Sequence, residues 1–157
     1  MADASAAQAL IYREAQLLDD KAFDQWLSLL TEDVLYWAPL KRGQTEDEVY
    51  NSLFYEDYFV LRIRIERLRA ARVPSQEPPS FCQHVLQQPS VQADADGGFQ
   101  CSTPFVYVEA QLDEQVVLAG TVHHQLIADA EGALKIRRKR IELLNREAAL
   151  PSIQVLI

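Results

Sequence analysis

Two cysteines and three histidines are the residues of this 157-residue sequence whose types best suit a metal centre. Cys82 and His84 have the C-x-H spacing that opens a Rieske iron–sulfur site, in which two cysteines and two histidines hold two irons. The second half of such a site is a C-x-x-H, but Ser, Thr and Pro follow Cys101. A complete Rieske site is therefore excluded, and Cys82 is expected to be a small buried residue.

The other two histidines, His123 and His124, are adjacent. On a β-strand, neighbouring side chains point to opposite faces, so these two cannot chelate one metal together. An iron site built from two histidines and one carboxylate would need His84 as its second histidine. We therefore expect no metal site in this chain, and a core or surface role for each of the adjacent histidines.

General acid/base chemistry needs only one titratable group with a shifted pKa inside an apolar cavity. The candidates are His84, His124, Tyr36 and Glu109, and no spacing between them singles out a pair. The sequence has no G-x-S-x-G, no G-x-G-x-x-G and no glycine-rich phosphate loop, and its five glycines leave little room for one.

Charge and composition restrict the partners. A net charge of −8 and a pI near 4.8 disfavour a nucleic-acid partner, because a protein that binds phosphates needs a positive surface potential. The basic run 135–140 is predicted to be a charged strand at a sheet edge or a surface facing a partner. The chain shows neither a secretory signal nor an apolar run of about 20 residues, so we expect a soluble cytoplasmic protein with free thiols and no membrane partner.

The first third of the chain is predicted to be mainly helical. Residues from about Ala6 to Leu18 form one helix. A short second helix carries an apolar stripe of Phe23, Trp26, Leu27 and Leu30, and the run Thr-Glu-Asp at 31–33 ends it. A short strand over 34–37 follows, closed by a proline, and residues 40–51 are predicted to be a surface loop.

The segment 52–79 can be interpreted at two periods. Phe54, Tyr58, Leu61, Ile65 and Leu68 share one helical face, whereas residues 61–66 alternate as a strand would. The helical face is the longer pattern, so a helix is predicted, ended by the prolines at 74, 78 and 79. This helix would carry a second, outer ridge, formed by Phe59 and Ile63, and a helix that is apolar on two sides is either internal or at an interface.

Four extended stretches follow: Phe81–Ala93, Phe99–Leu112, Gln115–Ala128 and Ala133–Asn145. Their short turns make successive strands antiparallel, and their apolar residues fall on both faces. Helices followed by a strongly curved, mostly antiparallel sheet predict an α+β fold in which the sheet forms a cone around an internal pocket. The length fits a single domain over 1–157.

Together these features resemble the β (small) subunits of aromatic-ring-hydroxylating dioxygenases, which have the fold of nuclear transport factor 2-like proteins. The resemblance covers nearly the whole chain. The residues that carry it, in order, are Tyr12-Arg13-Glu14-Ala15, Leu17-Leu18-Asp19, Trp26-Leu27, Glu32-Asp33-Val34, Tyr36-Trp37, Pro39, Tyr55-Glu56-Asp57, Leu61-Arg62, Arg67-Leu68, Pro78-Pro79-Ser80, His84-Val85, Arg138-Lys139, Ile141, Leu143 and Val155-Leu156-Ile157.

The resemblance implies that this chain has no catalytic, cofactor-binding or metal-binding residues of its own. It implies a partner α subunit that holds the Rieske [2Fe–2S] cluster and the mononuclear iron, commonly in an α₃β₃ hexamer. Separate proteins would deliver electrons from NAD(P)H. Phe59, Ile63 and the apolar end of the chain then become candidate contacts within the assembly.

Two other functions remain open from the sequence. One is a free-standing cavity enzyme of the same fold, an isomerase or dehydratase, that uses His84 or His124 as its acid or base. The other is a small-molecule binding module. An open pocket lined by a His–carboxylate pair would favour the enzyme, whereas a pocket filled by aromatic residues such as Phe23, Trp26 and Tyr36 would favour the subunit.

Overall fold

The computed structural model describes residues 2–39, 52–70, 78–144 and 156–157. The elements follow one another along the chain as α1 (Ala4–Asp19), α2 (Phe23–Leu27), β1 (Leu30–Pro39), β2 (Ser52–Glu56), α3 (Tyr58–Arg69), β3 (Phe81–Leu86), β4 (Ser90–Ala93), β5 (Phe99–Gln111), β6 (Glu114–Ala128) and β7 (Leu134–Leu143). The predicted loop over 40–51 lies outside the described residues. No helix of the described part is long and apolar enough to cross a membrane.

The seven described strands form one curled sheet in the order β2-β1-β7-β6-β5-β3, with β4 pairing beside β3 on β5. All pairs are antiparallel except β1 with β7. The short turns predicted between the last three strands explain their antiparallel pairing. The α+β prediction is confirmed, with the correction that the sheet is curled rather than closed into a barrel.

The inner face of the sheet carries the core. On β5 every odd residue from Phe99 to Glu109 is buried, while the even residues face outward. Neighbouring strands approach closely at Gly120, where a Cβ atom would lie 2.0 Å from the main-chain oxygen of Glu142. The absence of a side chain lets β6 pass this close to β7 at the end of their pairing, so a side chain is not tolerated there without backbone movement.

Helix α1 lies on the inner face. Asp3 caps it by accepting a hydrogen bond from the main-chain N–H of Ala6 at 2.9 Å. Its buried residues are Ala7, Ile11, Glu14, Leu17 and Leu18, which follow the three- and four-residue steps of one helical face. A carboxylate therefore lies in an otherwise apolar stripe.

The single helix predicted to begin near residue 52 is wrong at its start. Residues 52–56 are strand β2, and Phe54 stacks on Tyr36 at 4.7 Å between ring centroids rather than on a helix. The helix begins only after Asp57, whose side chain accepts from the main-chain N–H of Val60 at 2.9 Å. From there the helical period holds, since Leu61 and Ile65 are buried.

Three strand predictions also change. The stretch 81–93 is broken into β3 and β4 around Pro89, because proline has no N–H for the ladder. Strand β1 begins at Leu30 and includes the residues 31–33 that were predicted as a break. The basic run is not at a sheet edge: β7 lies between β1 and β6, and Lys139 is 4% exposed.

Candidate functional site

A buried polar cluster surrounds Glu14 on the inner side of the sheet. Its Oε1 accepts from His124 Nε2 at 2.8 Å and from Lys139 Nζ at 3.2 Å. Its Oε2 accepts from Trp26 Nε1 at 3.0 Å. One carboxylate from α1 thus joins α2, β6 and β7, and each of these four residues is buried.

Charge keeps this carboxylate ionised. Burial alone would raise the pKa of Glu14, but the attraction of Lys139 and His124 outweighs it and holds that pKa well below its usual range. Burial also lowers the pKa of Lys139, against the opposing attraction of Glu14. The cluster is therefore an internal ion pair whose charges depend on each other.

Ile157 occupies the other side of Lys139. Its main-chain oxygen accepts from Lys139 Nζ at 2.9 Å and from Tyr36 Oη at 2.8 Å, while its N–H donates to Tyr36 Oη at 3.0 Å. Leu156 and Ile157 are 0% and 2% exposed, so the described part of the apolar end, which was predicted as an assembly contact, is packed inside this chain. Burial raises the pKa of Tyr36, which keeps its phenol protonated.

A second His–carboxylate pair joins the end of α1 to β3. His84 Nδ1 donates to Asp19 Oδ1 at 2.6 Å, and the His84 main-chain N–H donates to both oxygens of Asp19 at 3.0 Å. Since an ionised carboxylate only accepts, this contact places a proton on Nδ1. The Nε2 atom is buried and has no hydrogen-bond partner among the described residues.

Both histidines line one small internal cavity. Its polar walls are Glu14, His84, His124 and Lys139, and its apolar walls include Phe105 and Ile157. Its volume is about 20 Å³, which is space for roughly one water molecule. Phe23, Trp26 and Tyr36 are all buried in the core, but none of them lines this cavity, whose aromatic wall is Phe105. The His–carboxylate pairs of the enzyme alternative are present, but no organic substrate fits between them.

The four candidates for acid/base chemistry do not form one site. The structure brings His84 and His124 to the same cavity, whereas Tyr36 does not line it and contacts two of its lining residues, Ile157 and Lys139. Glu109 instead accepts from Tyr107 Oη at 2.8 Å.

Three residues of these networks were not predicted: Glu14, Asp19 and Lys139. Glu14 could have been found as the carboxylate within the apolar stripe of α1. Lys139 could have been found because it alternates with Ile141 and Leu143, the buried face of β7. Nothing local marks Asp19, whose partner is 65 residues away.

The cysteines and histidines do not fit a Rieske cluster. Cys82 is directly opposite Glu109 on β5, whereas Cys101 lies on β5 itself, opposite His124. Positions 101 and 109 of an extended strand are separated by roughly 27 Å, so the two thiols cannot bind one cluster. Burial also raises the pKa of both thiols to about 11, which disfavours thiolate ligands. Among the described residues, no group of three or more His, Cys, Asp and Glu is placed to hold a metal.

Comparison with known proteins agrees with this fold. The chain is 32% identical to the small oxygenase component of the p-cumate 2,3-dioxygenase system of Pseudomonas putida, over 98% of this chain and 85% of that protein. The crystal structure of the benzoate 1,2-dioxygenase β subunit of Burkholderia mallei matches with a TM-score of 0.75 at 26% identity, covering 99% of each chain. Naphthalene 1,2-dioxygenase, at 16% identity and TM-score 0.81, covers 99% of this chain and 88% of that one and shares the fold. The sequence profile described as "Ring hydroxylating beta subunit" matches residues 13–148, and the chain belongs to that family.

Proposed function

We propose that this chain is a non-catalytic structural β subunit of a multicomponent aromatic-ring-hydroxylating dioxygenase that takes part in the catabolism of aromatic compounds. The observation that carries the proposal is the filled interior. The cavity between the two His–carboxylate pairs has about 20 Å³, whereas small-molecule sites have roughly 300–1,000 Å³. The family match and the cumate and benzoate relatives support the same assignment.

The partner in this proposal is an α subunit that holds the Rieske [2Fe–2S] cluster and the mononuclear iron. Three copies of each subunit assemble as α₃β₃, and electron-transfer proteins supply electrons from NAD(P)H to the α subunit. The separation of Cys82 from Cys101 supports a cluster held elsewhere. The single domain functions in the cytoplasm, where thiols such as these two stay reduced.

The outer ridge of α3 is a proposed contact in this assembly. Phe59 is 68% exposed in the isolated chain, and Ile63 lies one turn further along the same side, half-buried. Apolar side chains of this size are normally covered when they recur on one face of a helix. Burying them against a neighbouring subunit would remove that surface from water.

Co-expression with the α subunit of the same gene cluster, carrying an affinity tag, tests the function. We expect the untagged chain to be retained with the tagged α subunit through gel filtration. Phe59→Glu and Ile63→Glu should each weaken retention, whereas Tyr12→Glu on the exposed side of α1 should not. If the wild-type chain is recovered alone, the proposed function is wrong. If the ridge variants are retained as wild type, only the ridge contact is wrong.

One observation favours the cavity enzyme as the second candidate: Asp19 holds His84 through Nδ1, and the buried Nε2 has no partner among the described residues, as in a histidine oriented to act as a general base. In the structural subunit, His84→Gln should leave the turnover of the assembled dioxygenase within about twofold of wild type. A loss of turnover of about a hundredfold or more with the complex intact would instead support chemistry at His84.

A further inference from the structure

Ile157 is held next to the internal cavity in the way that a bound ligand is held. Hydrogen bonds to side chains fix its main chain: its oxygen accepts from Lys139 Nζ at 2.9 Å and from Tyr36 Oη at 2.8 Å, and its N–H donates to Tyr36 Oη at 3.0 Å. Main-chain groups bond mostly to other main-chain groups, as in helices and sheets. Two side chains of the sheet therefore position this residue at the cavity.

The side chain of Ile157 belongs to the hydrophobic core, and the residue is 2% exposed. It is also one wall of the cavity. The cavity's other apolar walls are Ile11, Ala15, Leu86, Phe105, Val122 and Ile141. The space left between these walls is about 20 Å³, enough for roughly one water molecule. The volume that Ile157 fills and the free volume of the cavity thus adjoin each other.

His84 supplies a polar group at this cavity. Its side chain is 5% exposed, and its Nδ1 is engaged by Asp19 Oδ1 at 2.6 Å. Its Nε2 is also buried, and in the described part of the chain it has no hydrogen-bond partner. Buried polar atoms are nearly always hydrogen-bonded, so this nitrogen points to a ligand. A hydroxyl group suits it in either protonation state of the ring, because a hydroxyl both donates and accepts.

We propose that the cavity and the volume filled by Ile157 together form a binding site for a small branched alcohol, and that Ile157 is the internal ligand that fills its apolar part. The hydroxyl group would meet His84 Nε2, and the hydrocarbon would lie against apolar walls such as Phe105 and Ile141. An apolar pocket with a few placed polar groups is the usual composition of a small-molecule site. A structural subunit needs only a filled interior, so this inference goes beyond the proposed function.

The wild-type chain should not bind such a ligand. Ile157 belongs to the same chain, so it competes with any free ligand at a high effective concentration. Ile157→Ala removes most of this side chain and should connect the vacated volume to the free space beside His84. The combined space then suits an alcohol of about three or four carbon atoms, whose hydroxyl takes the place of roughly one water molecule.

Thermal unfolding of the full-length Ile157→Ala variant, with and without isobutanol, tests the proposal. Its matched control is Ile65→Ala, which removes the same atoms from a residue that is 1% exposed but does not line the cavity. The wild-type chain corrects for the general effect of the alcohol on folding. Each variant alone should have a Tm lower by about 4–20 °C.

We expect isobutanol at about ten times its Kd to raise the Tm of Ile157→Ala by about 3–6 °C relative to its effect on wild type. The same titration should shift the side-chain nitrogen signals of His84 in NMR spectra, and Ile65→Ala should respond as wild type does. Isobutyl chloride has a similar shape but no hydroxyl group, so it should bind at least tenfold more weakly. Ile157→Val removes a single carbon and keeps the chain folded, so it is the second variant, with ethanol and the His84 signals as probe and readout.

Equal stabilisation of Ile157→Ala and Ile65→Ala would overturn the inference, by showing that any core cavity of this chain takes up the alcohol. It would also be overturned if neither Ile157 variant responded to its alcohol. Isobutyl chloride binding as tightly as isobutanol would overturn the contact with His84. All of these outcomes leave the proposed function standing, since that function is tested separately by co-expression with the α subunit.

Discussion

Removing the charge of Glu14 should cost this fold more than any exposed ion pair contributes. In Glu14→Gln, Lys139 stays buried at 4% exposure and loses its carboxylate partner. Trp26 Nε1 and His124 Nε2 must share a single amide oxygen instead of two charged ones. Breaking a buried pair by removing one partner typically costs about 3–5 kcal/mol. Because the glutamine amide oxygen can still accept one of these hydrogen bonds, we expect Glu14→Gln to lower the free energy of unfolding by about 3 kcal/mol, the lower end of that range.

For a chain of this length, that loss corresponds to a Tm lower by about 6–12 °C. Urea unfolding of the purified full-length chain, followed by circular dichroism, measures the change in free energy directly. A double-mutant cycle with Lys139→Met separates the pair from its surroundings, and we expect a coupling of about 2 kcal/mol or more. The exposed pair of Arg137 with Asp33 serves as the comparison, where Arg137→Gln should cost under about 1 kcal/mol.

A loss below about 1 kcal/mol in Glu14→Gln, or a cycle whose two single changes simply add, would refute this reasoning. Either result would mean that water or another group replaces the carboxylate, and that the cluster does not hold the helices against the sheet.

The remaining predictions concern pH, backbone contact and the thiols. Folding lowers the pKa of Glu14, so the ionised carboxylate contributes to stability above its unfolded pKa of about 4.3. That contribution is lost as the pH falls through the folded pKa. In acid-unfolding curves, the stability difference between wild type and Glu14→Gln should therefore shrink below about pH 4. Gly120→Ala should lower the free energy of unfolding in urea by about 2–4 kcal/mol, since its Cβ would lie 2.0 Å from the Glu142 main-chain oxygen. With pKa values raised to about 11, Cys82 and Cys101 should react with a thiol reagent at pH 8 far more slowly in the folded chain than in urea.

Each of these has an outcome that would contradict it. A constant difference between wild type and Glu14→Gln from pH 7 down to pH 3 would mean that the carboxylate is not the group that titrates. An unchanged urea midpoint for Gly120→Ala would show that β6 and β7 can separate there at no cost. Equal thiol reaction rates in the folded and unfolded chain would show that the thiols are accessible.

The sequence allowed the fold to be predicted where hydrophobic period and local chemistry agree. The turns around Gly97 and Gly132, which both have positive φ, separate β4 from β5 and β6 from β7 almost where they were expected. Prediction failed at the N-terminal side of α3, because the apolar residues of β2 continue the helical spacing by coincidence. Only the pairing of β2 with β1 distinguishes a strand from a helix over residues 52–56, and that pairing is a contact between residues far apart in the sequence.

The interior site was harder to predict for the same reason. The sequence indicates His84 and His124 as candidates, but the partner of each is a carboxylate on α1 that is far away in the sequence. Asp19 is 65 residues from His84, and Glu14 is 110 residues from His124. The basic run is predicted to be an edge strand or a surface facing a partner, because its composition is that of an exposed strand. The parallel pairing of β1 with β7, which buries Lys139 at the centre of the sheet, has no local signal.

The central claim is that this chain is a structural partner of an iron-bearing α subunit. Its most direct test is the mass and iron content of the complex, measured by light scattering coupled to gel filtration with metal analysis of the same peak. We predict a complex with equal numbers of α and β chains, whose iron remains with the α subunit when the two are separated. A chain that elutes without the α subunit at its own mass of 17.8 kDa, or as a multiple of it, would contradict the account.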